Sequence, residues 1–166
     1  MKYNKIALIG MMGCGKSAVS KKLAQRLNFN CYELDEIFEQ ENGKITDFFA
    51  QFGEEKFREI ETNILKKYLN YNGVFSCGGG IILKSENRDL LFKDNILTIY
   101  LEANSETIYN RIKNDTTRPL LQVENPRKKI EEILKKREEF YNLATIKITT
   151  DNKTINEIIE EIWKKL

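Results

Sequence analysis

Residues 10–17 read Gly-Met-Met-Gly-Cys-Gly-Lys-Ser and directly follow the apolar run Ile-Ala-Leu-Ile at 6–9. This is the G-x-x-x-x-G-K-[ST] pattern of a phosphate-binding loop in its expected context, with a strand before it and a helix after it. The glycines let successive backbone N–H groups turn inward around a phosphate, and the helix that opens at Lys16 adds its positive end. Lys16 would reach the β- and γ-phosphates, and the Ser17 hydroxyl would hold Mg²⁺. The stretch predicts a nucleoside triphosphate site rather than a plain glycine-rich turn.

The composition fits one domain. The chain has 166 residues, 41% of them hydrophobic, and a formal net charge of +2. This charge gives no strong field for nucleic acid or membrane surfaces. The three cysteines form no C-x-x-C pattern, which indicates reduced thiols. Because the sequence shows neither a signal-peptide pattern nor an apolar run of membrane length, we expect a cytoplasmic protein. We also expect a monomer that binds small molecules.

Short apolar runs alternate with helical patterns along the chain. Strands are predicted at 5–9, 31–34, 73–77, 96–101 and 145–149, and helices at 16–27, 35–42, 46–71, 86–93, 105–114, 126–142 and 154–165. This alternation predicts an α/β fold in which helices cover both faces of a parallel sheet, with residues 1–166 forming a single domain.

Unusual residues follow three of the predicted strands. The first strand runs into the phosphate loop, the second into Glu33 and Asp35, and the third into the glycines at 78–80. Because the carboxyl ends of parallel strands meet at one edge, we expect these residues beside the triphosphate. Glu33 and Asp35 alternate around Leu34, so an extended chain would point both carboxylates to the same side. Two alternatives remain: Asp35 could cap the next helix, and the glycines could form a plain turn.

A metal ion would depend on the second strand. The third strand ends in Ser76 and lacks the acidic residue that binds Mg²⁺ in many P-loop proteins. We therefore expect Ser17, Glu33 and Asp35 to surround Mg²⁺, with Ser76 assisting through a water. Glu102, after the fourth strand, is an alternative carboxylate for this role. Asp35 would also orient the attacking hydroxyl of the substrate and accept its proton.

Three arginines lie in different settings. Arg118 stands in the middle of the polar segment 114–125. That segment is either a surface loop or a lid that brings Arg118 over bound phosphates, and the lid fits the need of kinases to exclude water. Arg58 and Arg137 lie in helical stretches with many acidic neighbours, and their spacing alone predicts exposed side chains with acidic partners.

Taken together, these elements resemble the shikimate kinase family. The matching stretches follow the family's order: the loop at 10–17, the carboxylates ending in Asp35, Phe-Arg-Glu-Ile-Glu at 57–61, the glycines at 78–80, Arg-Pro-Leu-Leu at 118–121, and the pattern of Arg137, Tyr141 and Ala144. The resemblance covers nearly the whole chain. It implies a fold like that of nucleoside monophosphate kinases, with a five-stranded parallel sheet, a substrate-binding region at about 35–62 and a lid at about 114–125.

The resemblance also implies an activity and residue roles. The family phosphorylates the 3-hydroxyl of shikimate with ATP, and Lys16, Asp35 and Arg118 would be the catalytic residues. Arg58, Arg137 and the Gly80 N–H would bind the carboxylate of shikimate, and Asp35 would contact its ring hydroxyls. Phe49 and Phe57 would wall the substrate pocket. The nucleotide contacts would be Gly13, Cys14, Gly15, Lys16, Ser17, Ala18, Arg118, Arg111 stacked on adenine, and Lys153 near the adenine loop.

Two departures and two alternatives accompany this interpretation. Glu33 stands where the family usually has Asp, which lengthens the side chain by a methylene, and the segment 43–47 is one residue shorter than the common pattern. Another small-metabolite kinase of the same fold, for gluconate or a nucleotide, is one alternative. The chain has no histidine and no obvious base-reading pocket, which disfavours both acceptors. A nucleotide-binding regulatory module is the second alternative, but such a module would not need Asp35 or the paired arginines.

Overall fold

Five parallel strands form one sheet in the computed structural model, which describes residues 2–115 and 123–166. The strands are β1 (Lys5–Ile9), β2 (Cys31–Glu33), β3 (Gly73–Ser76), β4 (Leu97–Glu102) and β5 (Ile146–Thr149). They pair in the order β2-β3-β1-β4-β5, with every neighbouring pair parallel. The central strand β1 has β3 on one side and β4 on the other, so the loop after β1 leaves the middle of the sheet edge where ligands bind in this fold class.

Within residues 2–115 and 123–166, seven α-helices connect and flank these strands. They are α1 (Lys16–Leu27), α2 (Leu34–Asn42), α3 (Ile45–Tyr68), α4 (Ser85–Leu91), α5 (Ser105–Ile112), α6 (Pro126–Tyr141) and α7 (Ile155–Trp163), with a short 3₁₀ helix at Ile81–Leu83 before α4. The predicted fold class is confirmed, and the predicted element bounds differ from the observed ones by a few residues. Arg118, the lid residue of the sequence analysis, lies outside the described residues.

The core occupies both faces of the sheet. Ile6 and Leu8 of β1 pack into one apolar cluster and Ala7 and Ile9 into the other, and all four are fully buried. This alternation is the two-residue period of a strand whose two faces are both covered. No helix among the described residues is long and apolar enough to cross a membrane.

Helix α3 bends at Gly53, whose φ of 79° is not helical. A residue with a Cβ is disfavoured at this positive φ, so the glycine allows the change of direction. Before the bend, Phe48 packs edge-on against Phe38 of α2, with ring centroids 5.1 Å apart. After the bend, α3 carries Arg58 toward the glycine run that follows β3.

Candidate active site

The phosphate loop after β1 has the backbone that anion binding needs. Gly13 and Gly15 have φ values of 79° and 99°, which residues with a Cβ rarely adopt. The Lys16 ammonium folds back over the loop and donates to the carbonyl oxygens of Gly10 at 2.8 Å and Met11 at 3.0 Å. A triphosphate would offer Lys16 anionic oxygens in place of these carbonyls.

Helix α1 differs from three other helices at its N-terminus. Helices α5, α6 and α7 are capped by the side chains of Asn104, Asn125 and Thr154. Helix α1 begins after Gly15, which has no side chain to act as a cap. The first N–H groups of a helix lack intrahelical acceptors, so those of α1 can serve an anionic ligand.

A cavity of about 510 Å³ opens in front of this loop. It brings together several predicted nucleotide and metal residues: Gly13, Gly15, Lys16, Ser17, Ala18, Glu33, Asp35 and Arg111. Ser17 and Ala18 are exposed there, whereas Cys14 is buried in the loop with its Sγ atom 3.7 Å from the Lys16 Nζ atom. The cavity therefore joins the phosphate loop to the carboxylates of Glu33 and Asp35.

The two carboxylates reach the cavity from different elements. The expectation of an extended chain through Asp35 is wrong, because β2 ends at Glu33 and α2 begins at Leu34. Glu33 is buried and accepts a hydrogen bond from the Ser20 hydroxyl at 3.3 Å, while Asp35 stands in the first turn of α2. Both side chains still line the same cavity.

Asp35 is accessible to solvent but crowded by protein. The surrounding atoms remove part of the hydration of its carboxylate and so raise its pKa above the ordinary value. The Lys16 ammonium opposes this shift and Glu33 adds to it. Because water still reaches Asp35, the effect is smaller than it would be in a closed core. A carboxylate with a raised pKa is a better proton acceptor than an ordinary one.

The glycine run after β3 allows side chains to approach its backbone. A Cβ at Gly78 would lie 2.7 Å from the Asp35 Oδ1 atom and 2.9 Å from the Glu61 Oε1 atom. A Cβ at Gly80 would lie 2.7 Å from the guanidinium carbon of Arg58. Neither glycine has a positive φ, so a larger residue at either position would require these side-chain ends to shift but would not strain the backbone.

Arg137 approaches the same run from α6. Its Nη1 atom would lie 3.6 Å from a Cβ at Gly79 and is 3.8 Å from the sulfur of Met11 in the phosphate loop. The side chain is half-buried. Arg58 and Arg137, separated by 79 positions in the sequence, thus meet at the glycine run beside the phosphate loop.

Glu61 is a site residue to which the sequence analysis gave no role. It forms an ion pair with Arg58, with the Arg58 Nη1 and Glu61 Oε2 atoms 2.8 Å apart, and the two side chains are 15% and 5% exposed. Burial raises the pKa of Glu61, and Arg58 opposes that shift. The expectation from spacing that Arg58 is a surface residue is wrong, although the acidic partner at i+3 is confirmed. Only tertiary packing buries the pair.

The aromatic residues proposed for the pocket differ in exposure. The ring centroids of Phe49 and Phe57 are 4.5 Å apart. Phe57 is 4% exposed and packs against Phe38 in the core, whereas Phe49 is half-buried. Phe57 therefore has little surface to offer a ligand, and the role of both rings as pocket walls stays a prediction.

Arg111 lines the cavity, and it is bonded to the turn that carries Lys153. Arg111 donates to the carbonyl oxygens of Gly13 and Cys14 in the phosphate loop at 3.4 and 3.3 Å, and to the Thr150 carbonyl oxygen at 3.0 Å. It thereby ties the loop to the turn after β5. Lys153 stands in that turn and is paired with Glu161 of α7 at 2.6 Å. The contacts of both residues with adenine stay predictions.

The chain is similar to shikimate kinases in sequence and in structure. The shikimate kinase family model matches residues 12–166. The shikimate kinase of Thermodesulfovibrio yellowstonii is 41% identical, over 96% of this chain and 93% of that protein. That of Persephonella marina is 41% identical, over 97% and 98%. The structure of shikimate kinase from Acinetobacter baumannii in complex with shikimate has a TM-score of 0.92 and 32% identity, and the match covers 98% of this chain and 92% of that chain.

These comparisons agree with the resemblance seen in the sequence motifs. The family model and the relatives span nearly the whole chain, as the motifs from the phosphate loop to Ala144 do. The resemblance stated from the motifs is confirmed, and so is the interpretation as a kinase. The chain belongs to the shikimate kinase family.

Proposed function

We propose that this protein transfers the γ-phosphoryl group of ATP to the 3-hydroxyl of shikimate. The observation that carries the proposal is the convergence of Asp35, Arg58 and Arg137 on one glycine run beside the phosphate loop. A substrate ring that carries one carboxylate and several hydroxyl groups can be bound by two arginines and a carboxylate placed in this way. The donor half of the site would bind ATP, and the acceptor half would bind shikimate.

The donor half depends on the loop backbone and on Lys16. The uncapped N-terminus of α1 and the positive-φ glycines of the loop suit the β- and γ-phosphates. Lys16 already lies over the loop, 2.8 Å from the Gly10 carbonyl oxygen. Phosphoryl transfer needs in-line positioning and cations around the transferring oxygens, and Lys16 would supply one such cation.

The acceptor half depends on arginines and a carboxylate. The planar guanidinium groups of Arg58 and Arg137 match a carboxylate, which a lysine would hold only as a point charge. Asp35 would accept a hydrogen bond from the attacking hydroxyl and take up its proton as the phosphoryl group moves. Its raised pKa favours that role.

Magnesium fits the oxygen donors of the cavity. Within residues 2–115 and 123–166, no group of three or more His, Cys, Asp or Glu side chains could hold a metal ion by itself. Mg²⁺ usually takes one or two carboxylates together with waters and phosphate oxygens. The hydroxyl of Ser17 and the carboxylates of Glu33 and Asp35 line one cavity and suit this pattern. When bound, the ion would neutralise charge on the phosphate oxygens.

Several finer assignments are proposed from the sequence. We infer that residues 1–166 act as one domain, with the substrate-binding region at about 35–62 and the lid at about 114–125. Arg118 would add a second cation to the phosphates from that lid. A monomeric state and a cytoplasmic location also stay predictions.

The decisive experiment is an assay of ADP release with ATP and Mg²⁺ and one acceptor at a time. The acceptors are shikimate, gluconate and AMP, which represent the leading reaction and the two alternative kinases. Of the three acceptors, we expect only shikimate to support turnover. The ³¹P spectrum of its product should show the new phosphate coupled to the proton at carbon 3. Absence of shikimate-dependent turnover at millimolar concentration would refute the proposal, as would equal turnover with gluconate or AMP.

A further inference from the structure

The backbone from Gly78 to Leu83 has a hydrogen bond at every carbonyl. Two bonds come from the backbone of the segment itself: the Ile81 N–H donates to the Gly78 carbonyl at 3.1 Å, and the Leu83 N–H donates to the Gly80 carbonyl at 3.0 Å. They form the short 3₁₀ turn. The other four bonds come from side chains outside the segment.

Helix α4 supplies three of those four bonds. The Asn87 amide donates to the carbonyl of Ile81 at 2.9 Å. The Arg88 guanidinium donates to the carbonyl of Ile82 at 2.7 Å and to that of Leu83 at 2.9 Å. These bonds fix the segment that follows the glycine run.

Helix α6 supplies the fourth bond, at the glycine run itself. The Tyr141 hydroxyl donates to the carbonyl oxygen of Gly79 at 2.6 Å. Tyr141 is fully buried and its ring stacks on Tyr100, with centroids 4.9 Å apart and 19° between the ring planes. Burial raises the pKa of Tyr141 to about 12, with Arg137 opposing the shift, so the hydroxyl is protonated and donates at neutral pH.

This bond sets the direction of the next amide. The carbonyl of Gly79 and the N–H of Gly80 belong to one planar trans peptide unit, so they point in opposite directions. With its carbonyl bound to Tyr141, the unit can present its N–H only on the far side. Among the described residues the Gly80 N–H makes no hydrogen bond, and Gly80 lies against Arg58.

Arg88 connects the two supporting helices. Its guanidinium carbon lies 4.2 Å from the ring centroid of Phe140, the residue before Tyr141. The contact joins the bonds at Ile82 and Leu83 to the end of α6, the helix that also carries Arg137. The bonds at Gly79 and at Leu83 therefore both involve side chains that pack at the end of α6.

We propose that Tyr141 is a positioning residue that orients the Gly80 N–H toward the substrate carboxylate, with Arg88 holding the turn that follows. The inference rests on the proposed function, since it concerns the carboxylate of shikimate. Tyr141 acts on the substrate through the peptide between Gly79 and Gly80. Its effect belongs to acceptor binding rather than to ATP binding.

The test compares Tyr141→Phe with Tyr100→Phe. Each variant loses one hydroxyl from the same stacked pair, but only the first loses a donor to the Gly79 carbonyl. Calorimetric titration measures the affinity of each variant for shikimate, for the methyl ester of shikimate and for ATP. We expect Tyr141→Phe to weaken shikimate binding about threefold to tenfold and to leave ATP binding unchanged. The loss should be smaller for the ester, because an N–H bonds a neutral carbonyl less strongly than a carboxylate.

Arg88→Met provides a second route to the same turn. It removes the donors to Ile82 and Leu83 without touching Tyr141, and we expect the same pattern of losses at smaller size. Equal losses for shikimate, the ester and ATP would overturn the proposal, and so would equal shikimate affinity in the two tyrosine variants. The wild-type assay separates this inference from the proposed function. If the wild-type protein phosphorylates shikimate and Tyr141→Phe behaves as Tyr100→Phe does, only the positioning role fails.

Discussion

The candidate site has two halves built from different parts of the chain, and its cavity is lined by the phosphate loop with Asp35 and Gly79 rather than by Arg58 or Arg137. The donor half is one continuous stretch, residues 10–17, in which positive-φ glycines and a helix N-terminus present backbone groups. The acceptor half gathers side chains from α2, α3 and α6 around the glycines after β3. The glycines differ accordingly: Gly15 provides a conformation, whereas Gly80 provides room for Arg58. A phosphate can be held by local backbone, but a substituted ring needs side chains from distant elements.

The largest effect should come from Asp35→Asn. The variant keeps the shape of the side chain and loses the proton acceptor, so turnover should fall by about 10²- to 10⁴-fold while both substrates still bind. Single-turnover kinetics together with titration of each substrate measures this. Near-normal turnover would remove Asp35 from the chemistry. A loss of ATP binding as large as the loss of turnover would place Asp35 in the donor half.

Arg58→Ala should act on the acceptor half and on stability. Loss of charge-assisted hydrogen bonds should weaken shikimate binding about 10- to 100-fold and spare ATP. The variant also leaves buried Glu61 without its partner at 2.8 Å, which should cost about 3 kcal/mol of stability. The double variant Arg58→Ala with Glu61→Gln should regain most of the stability but none of the binding. Recovery of shikimate binding in the double variant would contradict the role of Arg58.

The pH dependence of stability should reveal the buried carboxyl of Glu61. Burial raises its pKa above the ordinary 4.5, so the native state holds this proton more tightly than the unfolded chain does. The resulting contribution to the free energy of unfolding is fully present below pH 4.5 and is lost as pH rises through the native pKa of Glu61. Urea unfolding should show that the free energy of unfolding of the wild type falls relative to that of Glu61→Gln as pH rises from about 4. A rise of the wild-type value relative to the variant over the same pH range would contradict the raised pKa.

The smallest effect should come from Lys153→Ala in the donor half. If Lys153 lies near the bound adenine, its loss should lower ATP affinity about twofold to threefold and leave shikimate affinity unchanged. Glu161→Ala is the matched control, because it removes the ion pair at 2.6 Å but keeps the lysine. An exposed pair contributes about 0.2–1 kcal/mol, so neither variant should unfold the protein. Equal ATP affinities in the two variants would assign Lys153 only to the ion pair.

The sequence predicted the donor half from local information. The strand, loop and helix around Lys16 follow from residue spacing alone, and the structure confirms the strand at 5–9 and the helix at 16–27. The parallel sheet also followed from the alternation of strands and helices. Glu33 and Asp35 were expected on one extended segment, but Leu34 already begins α2. The carboxylates reach one cavity because β2 ends and α2 begins there, which a two-residue period does not describe.

The acceptor half could not be derived from spacing. Arg58 and Arg137 read as exposed helical residues, and only the family resemblance paired them. Glu61 is buried by the packing of α3 beside the glycine run, so its surroundings include Asp35 and Gly78, which are distant in sequence. The bond from Tyr141 to Gly79 spans 62 positions and likewise has no local signal.

Two separate halves of the site are expected to bind the two substrates. The most direct test titrates ATP and shikimate separately into Lys16→Met and Arg137→Ala, with thermal unfolding as the check on folding. We predict opposite losses: Lys16→Met loses about tenfold or more in ATP affinity and keeps shikimate, while Arg137→Ala loses shikimate and keeps ATP. Parallel loss of both substrates in both folded variants would contradict the account.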